Sequence, residues 1–424
     1  MSNLRKKINI DSNGNDFLVG DNPGYFRIAD GKNPNLDAFG RLRISSPVSL
    51  FDTQNQYNDS PLFWETVVVG GGTATHLPNE SSVRLRCTTA SGDKVIRQTR
   101  CYHRYQPGKS QLIEMTGVMG AIKTNVRQRL GYFDNNNGLF FQQDGTNLSV
   151  VRRTYASGAT VDNEYTQANW NMDTLDGNGP SGITLDTSKA HIFVIDMQWL
   201  GVGRIRFGVV VDGMTYYCHE VVNANVLTEV YMTTANLPLR YEIENTGTTA
   251  SETDLKQICA TVQSEGGFDD AYGITHSASN GVTPISVTTR RPILTVRPKT
   301  TFNSITNRGT VAPLTYDIFA QTNSAYYEIV YNGTLIGASY TSISDNSITE
   351  YDVAATAITG GDVIDSGFCT TDKNSRNSIT NVIKSKIRLC NDYAGTTTDT
   401  LSIVVTSFTG TATVSGALTI KEFY

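Results

Sequence analysis

The sequence predicts an all-β chain, with an extended N-terminal arm, a large β-sandwich and a smaller C-terminal β-sandwich. Three observations carry this expectation. Short runs of alternating apolar and polar residues recur along the chain, and no stretch of a dozen residues keeps apolar positions at i, i+3, i+4 and i+7 behind a cap. Asp-Gly and Asn-Gly steps fall between apolar runs, where residues that tolerate positive φ close hairpins. With 18% charged residues, 20 Tyr, 16 Phe and 37 Gly in 424 residues, the composition is that of a folded, turn-rich protein.

Residues 1–45 are polar and turn-rich (NPGYF, DGKNPN, DAFGRLR), with brief apolar patches such as Phe17-Leu18-Val19. So little apolar surface cannot build a core. The segment is therefore read as an arm supported by its own body or by a neighbouring subunit.

Residues 46–285 read as a succession of strands. WETVVVGGG is followed by SSVRLRCTT, KVIRQTRCYHRY and QLIEMTGVMG. A meander follows: LGYF, the turn DNNNG, LFFQQ, the turn DGTN, and LSVVRRTY. A second runs through HIFVIDMQWL, RIRFGVVV and MTYYCHEV, with Ile205, Phe207, Val209 and Val211 expected to face the core and Arg204, Arg206 and Gly208 the solvent. Many strands and no helices imply two sheets packed face to face. The loop-rich stretch FDDAYGITHSASNGVTPISV leads into residues 286–424, whose strands include AYYEIVYNGTLIGASY with a turn at Asn332-Gly333.

A net charge of −5 disfavours a role in gripping duplex nucleic acid, and no nucleic-acid partner is expected. The start, MSNLRKKINIDSNGND, has no apolar core of a signal peptide, and no run approaches the ~18 apolar residues of a membrane helix. The expectation is a cytoplasmically made product that stays soluble or enters an assembly, without a membrane partner. Cys87, Cys101, Cys218, Cys259, Cys369 and Cys390 are scattered, and are expected to be reduced, small buried hydrophobes.

Motifs that carry chemistry are weak. In RYEIENTG, Glu242 and Glu244 alternate on one strand and so share a face, a partial match to the carboxylate strand of laminarinase-like sandwich enzymes. The third acid is missing, because Thr246 and Gly247 follow, and a solvated strand face is the plainer reading. The five His residues are far apart with no ligand spacing. Gly70-Gly71-Gly72 lacks the phosphate-loop Lys and reads as a corner or bulge. DSNGND (from Asp11) and DNNNG (from Asp134) offer oxygens, but neither has calcium-loop spacing, and the twelfth position of the first is Asn22. Neither a cofactor nor a metal is expected. Tyr102, Tyr105, Trp170, Trp199, Tyr216 and Tyr217 suit either a binding surface or the filling of a sandwich.

Two stretches, DAFGRLRISSPVSLFDTQNQYNDSPLFWE (37–65) and RRPILTVRPKTTFNSITNRG (290–309), resemble a family of virion structural proteins of tailed bacteriophages. The block from SVRLRCTT to GMTYYCHE is similar to concanavalin-A-like (jelly-roll) sandwich domains of lectins and phage fibre or decoration proteins. The resemblance implies a non-enzymatic part of the tail, baseplate, fibre or adaptor, located in the virion and contacting tail, portal-proximal or capsid proteins and further copies of itself. Alternatives are a capsid-decorating protein, a host-glycan-binding module and, behind these, a polysaccharide depolymerase. Phe39, Arg41 and Arg43 in the arm, then Phe51, Phe63 and Trp64, are the apolar and cationic residues expected to anchor assembly.

Overall fold

The computed structural model describes residues 19–22, 25–27, 38, 47–267, 273–371, 381, 382 and 387–424. The first group of strands opens with β1 (Val48–Gln54), β2 (Trp64–Val69), β3 (Thr73–Leu77), β4 (Ser82–Cys87) and β5 (Lys94–Thr99). Next come β6 (Ser110–Val118), β7 (Val126–Phe133), β8 (Gly138–Asp144), β9 (Asn147–Thr154) and β10 (Val161–Thr166). It closes with β11 (His191–Met197), β12 (Ile205–Val211), β13 (Met214–Val221), β14 (Leu239–Asn245) and β15 (Thr253–Glu265).

One sheet has seven strands in the order β10-β9-β8-β7-β14-β5-β2. The other runs β13-β12-β11-β6-β15-β4-β3, with β1 added on β15. Period-2 alternation places Leu130, Phe141 and Ile243 of the first sheet against Leu85, Phe193 and Phe207 of the second in one core. Phe141 interlocks with Phe193 and Phe207 across the layers, at ring separations of 5.0 and 5.7 Å. This is the large jelly-roll sandwich. Both expected meanders are present and antiparallel: β7-β8-β9, and β11-β12-β13 with Asp212 and Gly213 at positive φ in its second turn.

The second group comprises β16 (Ile274–Ser279), β17 (Ile285–Val287), β18 (Arg291–Pro298), β19 (Thr310–Thr322), β20 (Ala325–Tyr331) and β21 (Thr341–Ser342). β22 (Thr349–Asp352), β23 (Asp362–Cys369), β24 (Asn381–Val382), β25 (Leu401–Ser407) and β26 (Ala412–Phe423) follow. They form a five-stranded sheet (β16-β26-β19-β24, with β17 on β26) and a six-stranded one (β21-β22-β18-β25-β20-β23). Ile293, Val296, Ile318, Ile329, Ile403 and Leu418 fill a core of their own. The chain is all-β, a large sandwich followed by a smaller one.

Glycines act where the chain turns sharply. Gly70, at φ +66°, takes the chain from β2 in one sheet to β3 in the other, and the Asp93 carboxylate accepts the Gly71 N–H at 2.7 Å and the Thr88 N–H at 3.0 Å. Gly138 opens β8 at φ +148°, where a Cβ would collide with Phe133. Gly138→Ala is expected to lower stability by about 2 kcal/mol or more, read from the urea midpoint.

Three expectations change. Arg206 is not on a wetted face: it is wholly buried, ion-paired with the equally buried Asp196 and 4.2 Å from the Tyr217 ring centroid. Asn332 has positive φ, but the flanking strands do not form a hairpin with each other. β20 pairs with β23 and β25, whereas Thr334–Ile336 pairs with Ala357–Thr359. The cysteines are not all reduced, because Cys101 and Cys390 form a disulfide between the two sandwiches. Beside it Arg100 is ion-paired with buried Asp399, whose carboxylate also accepts the Cys390 N–H at 3.1 Å.

Candidate functional site

β14 turns Leu239, Tyr241 and Ile243 into the core and therefore Arg240, Glu242 and Glu244 onto the opposite face of the seven-stranded sheet. Antiparallel register sets Glu242 opposite Arg129 of β7 and Ile96 of β5, and Glu244 opposite Arg127 and Lys94. Directly opposed side chains of opposite charge meet. Glu242 lies 3.2 Å from Lys94, 3.2 Å from Arg129 and 3.5 Å from Arg240. Glu244 lies 2.9 Å from Arg127 and 3.7 Å from Lys94.

The same face continues over β8, β9 and β10. Arg153 grips Asp162 through two hydrogen bonds of 2.7 and 2.9 Å. Phe133, Phe140 and Val151 form a fully buried patch beneath the guanidinium groups of Arg129, Arg153 and Arg240. Arginine stems and planes thus cover apolar surface while their charges are matched by carboxylates.

This electrostatics fixes what the carboxylates can do. Burial pushes the Glu242 carboxyl up, but Lys94, Arg240 and Arg129 outweigh it and hold the group down at about 2. Such a group has no proton to donate near neutral pH, whereas sandwich glycosidases need one carboxyl protonated as general acid. Only 2% exposed, Glu242 is also not the solvated side chain that the plainer sequence reading proposed. Glu65 of β2 is the carboxyl on this face whose pKa is raised, by burial first, against the opposing effect of the Tyr393 N–H at 2.9 Å and Gln98 at 3.0 Å. Sequence reasoning missed Glu65. In WETVVV it is one polar residue in an alternating strand, and what buries it arrives from position 393.

The other candidates are placed as follows. His103 is buried against Phe51 and Tyr132, and burial lowers its pKa to about 3. His219 stacks on Tyr165 and is lowered by burial to about 4. Burial pushes the Cys87 thiol up to about 12. In the DNNNG turn the Asp134 carboxylate accepts the N–H groups of Asn136 and Asn137, each at 2.8 Å, which is turn chemistry. DSNGND lies outside the described residues. Tyr105 and Trp170 are buried in the large core and Trp199 and Tyr216 pack half-buried against it, whereas buried Tyr217 lies against Arg206 and buried Tyr102 lies beneath Arg308.

Phe39, Arg41 and Arg43 also lie outside the described residues. Their neighbour Ala38 is 3% exposed, and its carbonyl accepts the Arg204 Nε–H at 3.0 Å. Phe51, Phe63 and Trp64 come together as one cluster, with Phe51 6.2 Å from Phe63 and 6.0 Å from Trp64 between ring centroids. Trp64 is interior, and Phe51 and Phe63 are half-buried against the same core.

No protein-family model matches the chain, and no curated protein matches it. Solved structures similar to about half of it include a Bacillus licheniformis β-glucanase, at 10% identity over 52% of this chain and 98% of that one, with a TM-score of 0.32. A legume lectin-like domain from Entamoeba histolytica is similar at 10% identity, 51% and 98% coverage and a TM-score of 0.32. A family 16 glycosyl hydrolase protein from Mycobacterium smegmatis is similar at 11% identity, 51% and 100% coverage and a TM-score of 0.35.

Proposed function

We propose that the chain is a non-enzymatic structural component of a tailed-phage virion, part of the tail, baseplate, fibre or adaptor, assembling through its N-terminal arm and its sandwich surfaces. The observation that supports the non-enzymatic half is the ion-paired outer face of the seven-stranded sheet, where Lys94, Arg129 and Arg240 engage the Glu242 carboxylate and hold its pKa down. The virion half is supported by the resemblance of residues 37–65 and 290–309 to phage structural proteins. It is also supported by an arm too polar to fold alone, one residue of which, Ala38, is fastened to Arg204. Capsid decoration is the alternative location for the same role. Homo-oligomeric contacts belong to this proposal, with Phe39, Arg41, Arg43, Phe51 and Phe63 as anchors and Trp64 as the interior support of the last two.

Deleting residues 1–45 tests it. Particles assembled with the shortened chain are expected to contain less than a tenth of the normal amount, by mass spectrometry of purified virions, while the soluble chain keeps its β-sheet circular dichroism. Undiminished incorporation of a folded, shortened chain would remove the arm from the proposal. Absence of the full-length chain from purified particles would remove the virion role.

A further inference from the structure

A cleft of about 680 Å³ lies between the two sandwiches, on the side of the 134–137 turn. That size is within the usual range for small-ligand sites. One wall comes from that turn, Tyr155 and Asn236; the other comes from the hairpin of Thr301–Phe302 with Ile305–Thr306, and from Tyr424. Tyr393 and Arg240 lie at their junction.

The lining has a definite chemistry. Tyr155 and Tyr424 remain 39% and 51% exposed, and Phe302 meets Tyr424 edge-on at 5.4 Å. Aromatic faces carry a negative quadrupole that attracts the slightly positive C–H face of a saturated ring. Between them stand side-chain amides, which both donate and accept, as hydroxyl groups do. Asn236 spends its carbonyl oxygen on the Tyr105 N–H at 2.9 Å, and its NH2 group has no partner among the described residues.

The charged groups in the lining are already committed. Arg308 donates to the carbonyls of Asp392 and Tyr393 at 2.6 and 2.8 Å. Arg240 is shared among Gln98, Asn135 and Glu242. Asp134 is capped by two backbone N–H groups. Arg240 is neutralised by Glu242, and the remaining formal charges of the lining, Arg308 and Asp134, are of opposite sign, so the cleft carries no net charge that would favour an anionic ligand. A ligand here must offer apolar ring faces edged by uncharged donors and acceptors, which describes a neutral sugar.

The walls are also fixed relative to each other before anything binds. The Cys101–Cys390 disulfide, the Arg100–Asp399 ion pair and the bond from the Tyr393 N–H to Glu65 tie the sandwiches together. A site that does not have to be ordered on binding loses less affinity to entropy.

We infer that this cleft between the sandwiches binds a short neutral oligosaccharide, using Tyr155 and Tyr424 as stacking surfaces and Asn236 as a hydrogen-bond donor. The inference stands apart from the virion role, because binding is read on the isolated chain and incorporation on particles. It also places recognition at the end of the carboxylate face of β14, where Arg240 reaches the cleft, and not over Glu242 and Glu244.

The full-length chain would be applied to an array of neutral and acidic bacterial oligosaccharides, and the strongest neutral hit titrated by calorimetry. Retention of neutral sugars is expected, with Tyr155→Ala, at unchanged melting temperature, and Asn236→Ala each weakening binding at least tenfold. Three results would overturn the inference: no neutral sugar retained, retention confined to acidic sugars, or affinity for the neutral hit unchanged in both variants. Particles carrying Tyr155→Ala should contain the chain in normal amount, which keeps a failure of sugar binding separate from a failure of the virion role.

Discussion

Glu242→Ala is expected to destabilise the large sandwich by about 3–5 kcal/mol, the usual cost of removing one partner from a buried ion cluster. The cost arises because Lys94, Arg129 and Arg240 would then face one another without the carboxylate that now lies 3.2, 3.2 and 3.5 Å from them. Arg240 is 1% exposed and Arg129 6%, so water cannot replace the missing charge at those two. Glu242→Gln keeps the volume and tests charge alone.

The pH dependence has a definite sign. The folded-state pKa, about 2, lies below the ordinary 4.5, so the stabilisation is fully present above about pH 4.5 and is lost as pH falls toward 2. Urea midpoints between pH 2 and 5 should fall steeply for the natural chain and less steeply for Glu242→Gln. Parallel curves would show that the carboxylate is not held down as described. Release of reducing ends from β-glucans, abolished by Glu242→Gln, would instead make this face catalytic and end the non-enzymatic proposal.

What the sequence revealed and what it concealed follow from the range of the interactions. The meander of β7, β8 and β9 is legible because its turns, 134–137 and Gly145-Thr146, sit between alternating runs that pair with their nearest neighbours. Period 2 also put Glu242 and Glu244 correctly on one face. It did not reveal that Glu242 is buried, because Lys94 and Arg129, which cover it, come from the two neighbouring strands of the sheet. Arg206 misled for the same reason, since its partner Asp196 lies on the adjacent strand at a register that only the formed meander defines. Asn332-Gly333 shows the opposite limit. The dipeptide permits positive φ, but it does not choose the partners of the strands on either side.

The disulfide was the least legible feature, since 289 residues separate Cys101 from Cys390. That separation makes its removal the second large effect. Closing so long a loop restricts the unfolded chain, and the entropy model gives about 6 kcal/mol, with about 2–4 typical of measured bridges. Cys101→Ser is therefore expected to lower the stability of the junction between the sandwiches by about 2–5 kcal/mol, and a reductant should do the same to the natural chain but nothing further to the variant. Alkylation of the folded, unreduced chain should label neither Cys101 nor Cys390. Labelling of both, with a melting curve indifferent to reductant, would refute the bridge. The Arg100–Asp399 ion pair supplies a sharper version of the test. Asp399 also accepts the Cys390 N–H at 3.1 Å, so through Arg100 beside Cys101 it links both cysteine-bearing segments independently of the disulfide. Asp399→Asn should therefore slow reoxidation of the reduced chain, whereas Cys101→Ser should leave the seating of the Cys390 segment on Asp399 intact.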